Sequence, residues 1–495
     1  MSQGQDLTRS DLPGVVAGLA VLGVMLALPA PFPVTDVGMA RLGLLALAVI
    51  WWVATSLPLA MTTIAMLGLG LAIGALSIGD AFAHSSSWIL WFVIGSFGLA
   101  AALEATGVVR RFALAFVDSR LARGSSRRFL MMFMTSATVM SALMANTVVA
   151  VIWLSLALKI YDVLHVEHTD PVVEANTLGV AWAANFGGVA TPVGNGTNAA
   201  AMALIASGTG VTITFLQWTI IGTVLTCVFL ASALLVFRIS VPATSDILTR
   251  PESRAFIAAE RHRLGAMPVA ERWAIGWFGL AILLWFLPDL SGFVLPPKQA
   301  AVLKGSLHMA VPALLIPVLM CLVPTPDPQR RHVLTWPEWM GAIDWGLVIF
   351  IGGVMGLGTA VGADSTGLPA YVRTVLQPSL TGLSEPWFVL AMCAGVILVT
   401  SVISNMVTLA IFLPLGITLS QSLGVADPVA LGVVLGIGPS LDYLLPSGTT
   451  TNAIVAGSGY LRVGTMVRHG SILFVVHTLL LAGVGYPLAR LVLGR

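Results

Sequence analysis

Ser141-Ala-Leu-Met-Ala145-Asn146-Thr147-Val-Val and, about 260 residues later, Thr400-Ser-Val-Ile-Ser404-Asn405-Met406-Val-Thr408 repeat one pattern in two halves of the chain. About 50 residues beyond each lies a second pair, Pro192-Val-Gly194-Asn195-Gly196-Thr197-Asn198-Ala and Pro446-Ser-Gly448-Thr449-Thr450-Thr451-Asn452-Ala. In all four, small, hydroxyl and amide residues interrupt segments that are otherwise apolar. Such interruptions at matching places of two halves are what a carrier with discontinuous helices around a midplane site requires.

Composition supports that reading. Of 495 residues, 57% are hydrophobic and 9% charged, with a mean hydropathy of +0.95. A soluble domain carries about a quarter charged residues, so an all-α polytopic membrane protein is expected. Residues from Met1 to Pro13 are short, polar and nearly neutral. The first apolar run is therefore expected to span the membrane and not to be a cleaved signal. Net charge is +2, from arginines gathered in loops, and implies no nucleic-acid partner. Cys227, Cys321 and Cys393 lie in apolar runs, where a thiol packs as a small hydrophobe.

Apolar runs fit to cross a hydrocarbon core of roughly 30 Å begin near residues 13, 40, 58, 87, 211, 273, 307, 345 and 471. The stretches 129–160 and 386–421 carry polar centres and predict re-entrant hairpins, because non-helical backbone at membrane depth must face protein or water. Gly- and Thr-rich interruptions predict broken helices over 176–207 and 428–457. Arg110, Arg111, Arg120, Arg123, Arg127 and Arg128, then Arg250, Arg254, Arg261, Arg263 and Arg272, then Arg330 and Arg331, then Arg462 and Arg468 mark cytoplasmic loops. The alternate loops hold Arg41, Lys298, Lys304 and Arg373.

About eleven transmembrane helices plus two hairpins satisfy this pattern, in two inverted-topology repeats, with the N-terminus in the cytoplasm. The expected divisions are N-terminal scaffold helices over 1–86, a first transport half over 87–208, a scaffold helix over 209–243 and a cytoplasmic linker over 244–272. Second scaffold helices follow over 273–344, then a second transport half over 345–460 and a last scaffold helix over 461–495. Residues 109–128 read as an amphipathic helix in the interface, with a counterpart over 371–383. Glu104 is expected to pair with Arg110 or Arg111.

At these motifs the chain resembles the divalent anion/sodium symporter (DASS) family of secondary transporters, which carry dicarboxylates, citrate or sulfate. That family has Ser-Asn-Thr at each hairpin tip and a Thr-Pro-Pro-Asn-type break in each discontinuous helix. Further similarity covers most of the chain: Trp51-Trp52 with Leu57-Pro58, Gly95 to Gly107, Asp344-Trp345-Gly346 with Gly352-Gly353, and Asn452 to Gly457. The sequence departs from the pattern at Ala145, which replaces the first serine, at Met406, which replaces the second threonine, and at Gly196-Thr197 and Thr450-Thr451, which stand for the Pro-Pro pairs. Ser56 stands where the family has a glutamate.

The resemblance implies a homodimer with an elevator-type transport part in the cell inner membrane, and sodium ions as co-substrate without an organic cofactor. One sodium site would use Ser141, Asn146 and the Gly194 carbonyl, weakened by Ala145. The other would use Thr400, Ser404, Asn405 and the Gly448 carbonyl.

No lysine or arginine occurs at the four tips. An anion at membrane depth must then be met by helix N-termini, backbone N–H groups, amides and hydroxyls. Asn146, Thr147, Asn195, Asn405, Thr449 and Thr450 are the expected substrate donors, with Met406 softening one wall. Asn198 and Asn452 are expected to satisfy backbone groups freed at the breaks. Asp442 is the one carboxylate of the second broken helix, expected about 10 Å up the helix from Thr449. As an intramembrane carboxylate it is a candidate cation ligand or coupling group.

The rival classes lack their chemistry. No Gly-Lys-Ser/Thr phosphate loop, His-Glu-x-x-His or Gly-x-Ser-x-Gly occurs, so neither an ATP-driven pump nor an enzyme is expected. Sodium-independent or proton-coupled anion exchange is the alternative within carriers. An anion channel is the alternative outside them.

Overall fold

The computed structural model describes residues 11–242, 244–371, 374 and 384–495. The counterpart amphipathic segment expected at 371–383 lies almost wholly outside them. Helices α1 (Leu12–Ala27), α2 (Asp36–Ala54) and α3 (Leu59–Ala72) open the chain, followed by the short α4 (Ile78–Phe82), α5 (Trp88–Thr106) and α6 (Val108–Val117). The first hairpin is α7 (Ser126–Ser141) and α8 (Asn146–Leu164). The first broken helix is α9 (Pro171–Val189) and α10 (Gly196–Thr209), and α11 (Phe215–Ser240) closes the half. Next come α12 (Pro251–Leu264), α13 (Val269–Val294), α14 (Pro297–Ser306), α15 (Ala310–Leu322), α16 (Trp336–Ala342) and α17 (Trp345–Gly362). The second hairpin is α18 (Glu385–Thr400) and α19 (Asn405–Leu423), and the second broken helix is α20 (Pro428–Ile437) and α21 (Thr450–Ala456). The chain ends in α22 (Val463–Leu480), a π-helical turn and α23 (Tyr486–Leu493).

Among the described residues, eight helices are long and apolar enough to cross a membrane, counting α22 to α23 as one. The bent pair of α14 and α15, at 63°, makes a ninth. The shorter α1 and α3 are also apolar, with 16 and 14 residues. The chain is thus a polytopic membrane protein, all-helical among the described residues.

Packing groups the helices otherwise than their order along the chain suggested. The span α5, expected with the first transport half, packs against α13, α15 and α16, and Trp339 Nε1 donates to the Ile94 carbonyl at 2.9 Å. Likewise α17, expected with the second transport half, lies on α2, α3 and α4, although it also touches α10. Conversely α11, expected in the scaffold, packs along α7 and α9. Its Trp218 Nε1 donates to Val189 O at 3.2 Å and its Thr226 Oγ1 to Phe186 O at 2.8 Å. The last span packs on α11, α18 and α20. Segment boundaries are visible in hydropathy; which apolar faces meet is not.

Three polar expectations also change. Arg41 is not a loop charge: it lies within α2, buried, and donates to the Ala75 and Ala360 carbonyls at 2.9 and 2.5 Å and to Asp80 at 3.1 Å. Arg110 and Arg111 pair with Glu260 and Glu271, not Glu104. The 244–272 linker is more than a connector, because α12 within it packs on α6 and α8, and its Arg261 bonds Asp118.

Candidate functional site

Each hairpin reverses over four residues. The first turn is 142–145 and the second 401–404, and in both the residue ending the incoming helix bonds the residue beginning the outgoing one. Ser141 Oγ lies 2.8 Å from the Asn146 amide and donates to Ala184 O at 2.7 Å. Thr400 Oγ1 donates to Asn405 Oδ1 at 2.8 Å and to Pro439 O at 3.0 Å. The hairpin tip is thereby pinned to the neighbouring broken helix in each half, by the same two bonds. Caps differ: Ser404 accepts from Val407 N at 3.4 Å, whereas Ala145 offers α8 no side-chain cap. First-turn N–H groups of α8 remain for a ligand.

The breaks are braced by two fully buried asparagines. Asn198 Nδ2 donates to Gly188 O at 2.6 Å and to Thr191 O at 2.7 Å. Asn452 Nδ2 donates to Asp442 Oδ2 at 2.7 Å, with Leu445 O at 3.4 Å. Asn195 and Thr449 cap α10 and α21 by accepting from Thr197 N and Asn452 N, both at 3.2 Å. The halves also meet directly, through Thr451 Oγ1 to Asn185 Oδ1 at 2.8 Å and Asn195 Nδ2 to Ser440 Oγ at 3.3 Å.

One cavity of about 520 Å³ lies where these elements converge. Every expected substrate residue lines it: Asn146, Thr147, Asn195, Asn405, Met406, Thr449 and Thr450. Ala145, Gly194, Ser404 and Gly448 of the expected sodium sites line it too, while Ser141 and Thr400 are fully buried behind it. Asn185, Thr197 and Thr451 join from the broken helices, and Pro58, Phe92, Phe97, Asp344 and Leu347 form the facing wall. Sequence reading missed Asn185, because it lies inside a regular helix with no local interruption to mark it.

The cavity wall carries no lysine, arginine or histidine, and its one ionisable side chain is Asp344. Positive potential comes from the helix starts. The first residues of α8, α10, α19 and α21 all line the cavity, so four N-terminal dipole ends point at one volume. Each is worth roughly half a unit charge; α21 contributes less, being seven residues long.

At the first tip, oxygen atoms gather around the Asn146 amide. The Gly194 and Ala184 carbonyl oxygens stand 3.1 and 3.3 Å from the same edge of the Asn146 amide that meets Ser141 Oγ. Three oxygens thus converge on that edge. They are complemented either by the amide nitrogen, with Oδ1 then accepting from Asn195 Nδ2 at 3.3 Å, or by a cation with Oδ1 turned inwards. Carbonyls freed at a helix break are suited to an alkali cation, which asks for oxygen ligands without requiring formal charge.

Asp442 is not where helical spacing put it. Helix α20 ends at Ile437 and residues 441–449 leave helical geometry, so the chain folds back and Asp442 meets Gly448. The cause is local: Pro439, in the 3-10 turn Gly438–Ser440, has no N–H to continue the helix ladder, and Pro446 disfavours helix in the residue before it. His477 is a packed, bonded residue, held between Ser232 Oγ at 2.5 Å and the Tyr443 hydroxyl.

The chain is similar to known membrane transporters. The family described as sodium:sulfate symporter transmembrane region matches residues 10–493. The sodium-dependent dicarboxylate transporter SdcS of Staphylococcus saprophyticus is 28% identical over 496 residues, spanning 98% of this chain and 92% of that protein. Its namesake in Staphylococcus aureus USA300 is 27% identical over 463 residues, spanning 90% and 84%. The crystal structure of the Alcanivorax borkumensis YdaH transporter aligns with a TM-score of 0.55 at 15% identity, over 97% of this chain and all of that one, which speaks for the fold alone.

Proposed function

Because the chain belongs to the sodium:sulfate symporter family of membrane transporters, we propose that it carries a small divalent anion, a di- or tricarboxylate or a sulfate-like oxyanion, together with sodium across the cytoplasmic membrane. The observation that carries this reading is the meeting of four helix N-termini on one cavity with no basic side chain. Their combined potential amounts to about two charges at most, which matches a dianion. A neutral solute would gain nothing from it. A polyanion would be left undercompensated in a medium where unpaired charge costs several kcal/mol.

Sodium supplies the rest of the compensation. The oxygen cluster at Asn146, Ser141, Ala184 and Gly194 takes one ion, and Thr400, Ser404, Asn405 and Gly448 form the second site. Both adjoin the cavity, so ion and anion reinforce one another electrostatically. The names of the staphylococcal relatives, sodium-dependent dicarboxylate transporters, support both choices. Sodium-independent exchange is the second reading, favoured by Ala145, which removes a hydroxyl from the first site.

The moving part comprises the hairpins, both broken helices, α11 and the last span. The framework comprises α1 to α5 and α13 to α17, with the cavity on the boundary. Repeats of inverted topology, sliding of one part past the other as an elevator, a cytoplasmic N-terminus and a homodimer built on the framework complete the proposal. Uptake of labelled succinate, malate, citrate and sulfate into proteoliposomes tests it. Saturable uptake of one of them, driven by an inward sodium gradient, is the expected result. Uptake indifferent to sodium but dependent on internal anion selects exchange, and unsaturable flux selects a channel.

A further inference from the structure

The turn between α20 and α21 encloses one charged side chain. Asp442 is fully buried. Its Oδ2 accepts from Asn452 Nδ2 at 2.7 Å, while Oδ1 has no hydrogen-bond partner. No arginine, lysine or histidine among the described residues forms an ion pair with it. The neighbouring Tyr443 gives it no help, because that hydroxyl is engaged with His477. A buried carboxylate left uncompensated costs several kcal/mol.

What surrounds Asp442 is the second cation site. A Cβ built on Gly448 would collide with Asp442 Oδ2 and stand 2.5 Å from the Thr400 carbonyl oxygen. Carboxylate, Gly448 backbone and Thr400 carbonyl are thus within one small volume, and Thr400 in turn bonds Asn405.

The first half has no such charge. Gly188 stands ten residues before Asn198 as Asp442 stands ten before Asn452, and each position is bonded by its asparagine. A side chain at 188 would run into Asn146. The repeats therefore share a frame and differ by one carboxylate.

We propose that Asp442 supplies Oδ1 as an anionic ligand to the cation at the second helix break, so that this site is the tighter of the two and fills before the anion binds. The proposal rests on the sodium-coupled reading above and deepens it. Cation first is the required order, since a dianion cannot settle beside an uncompensated carboxylate. The Ala145 site, made of neutral oxygens only, then fills as the weaker one.

The test uses the full-length protein, with sodium chloride replacing choline chloride at constant ionic strength and no transported anion present. Wild type should be stabilised against heat by sodium, and Asp442→Asn should need at least about ten-fold more sodium for the half-maximal shift, as expected for losing one charge-assisted contact. Asp442→Glu, which keeps the charge, should fall between. The sodium-minus-choline infrared difference spectrum of wild type should show a perturbed carboxylate stretching band that Asp442→Asn lacks.

Superimposable sodium titrations of wild type and Asp442→Asn overturn the proposal while leaving sodium coupling intact. A wild-type spectrum without a carboxylate band overturns it even if the variant does not accumulate. A wild type that ignores sodium removes both the proposal and the reading beneath it.

Discussion

A methyl group at position 188 is the smallest change that probes the first tip. Gly188 faces the Asn146 amide so closely that a Cβ there would overlap Oδ1 and stand 2.7 Å from Nδ2. Gly188 is itself buried, so the clash is relieved by displacing Asn146, which lines the cavity. Gly188→Ala is expected to lower sodium-driven uptake more than ten-fold, while overpacking destabilises the fold by about 1–3 kcal/mol. Gly23→Ala is the control, because nothing lies within 4 Å of its Cβ. It should transport and unfold as wild type does. Uptake rates and thermal unfolding of the two variants, side by side, check the expectation, and equal uptake would show that Asn146 is not held where transport needs it.

At the scale of elements, hairpins and breaks were legible because each needs residues that a lipid-facing helix avoids. Ser141 with Asn146 and Thr400 with Asn405 are five apart in both halves, and the structure joins each pair at 2.8 Å. Asn198 and Asn452 follow their breaks at one spacing and brace them. The fold-back that brings Asp442 to Gly448 was not legible, since Pro439 and Pro446 follow α20 without fixing which way the chain turns. Nor was the role of Arg41, which counts as a loop charge in the sequence and as a buried donor in α2. Asn198→Ala tests the brace. It removes the side-chain donor to the Gly188 and Thr191 carbonyls, of which Thr191 still accepts from Gly194 N, and should destabilise by about 1–3 kcal/mol, yet Asn198 does not line the cavity. The substrate concentration for half-maximal uptake should stay within about two-fold of wild type in protein that remains folded, whereas Asn146→Ala should raise it; thermal melts and uptake titrations separate the two.

For the whole molecule, the proposed division into framework and moving part is the least visible in sequence and the most open to test. The helices of the proposed framework are latched across their halves by Arg41, whose guanidinium ties α2 to the Ala360 carbonyl of α17 at 2.5 Å and to Asp80. Asp80 lies in the connection outside the spans, and bonds from the Ser77 backbone and hydroxyl, aided by Arg41, hold its carboxyl below the ordinary value of 3.8. A depressed carboxyl contributes stability that is present above that value and lost as pH falls through the lower folded one. Arg41→Ala should therefore lower the melting temperature at neutral pH, by the equivalent of about 1–3 kcal/mol for the two buried carbonyls left without their donor, and by slightly less in acid, since the pair with the 39% exposed Asp80 is screened by solvent and adds little.

Across the boundary, a Cβ on Gly358 of α17 would lie 3.9 Å from Leu204 of α10. Within the moving part, one on Gly208 would lie 3.3 Å from Ile417 of α19. In a background where Cys227, Cys321 and Cys393 are replaced, bridging Leu204→Cys to Gly358→Cys with mercuric ion should stop uptake, and a thiol reductant should restore it. Bridging Gly208→Cys to Ile417→Cys should leave uptake within about two-fold, because both residues travel together. Elevator motion requires that difference: α10 must leave α17 for the cavity to open on the other face, and a bridge between them holds it in place. Uptake that survives the first bridge would show that α10 and α17 keep their contact throughout the cycle, and alternating access would then have to come from the hairpin tips alone.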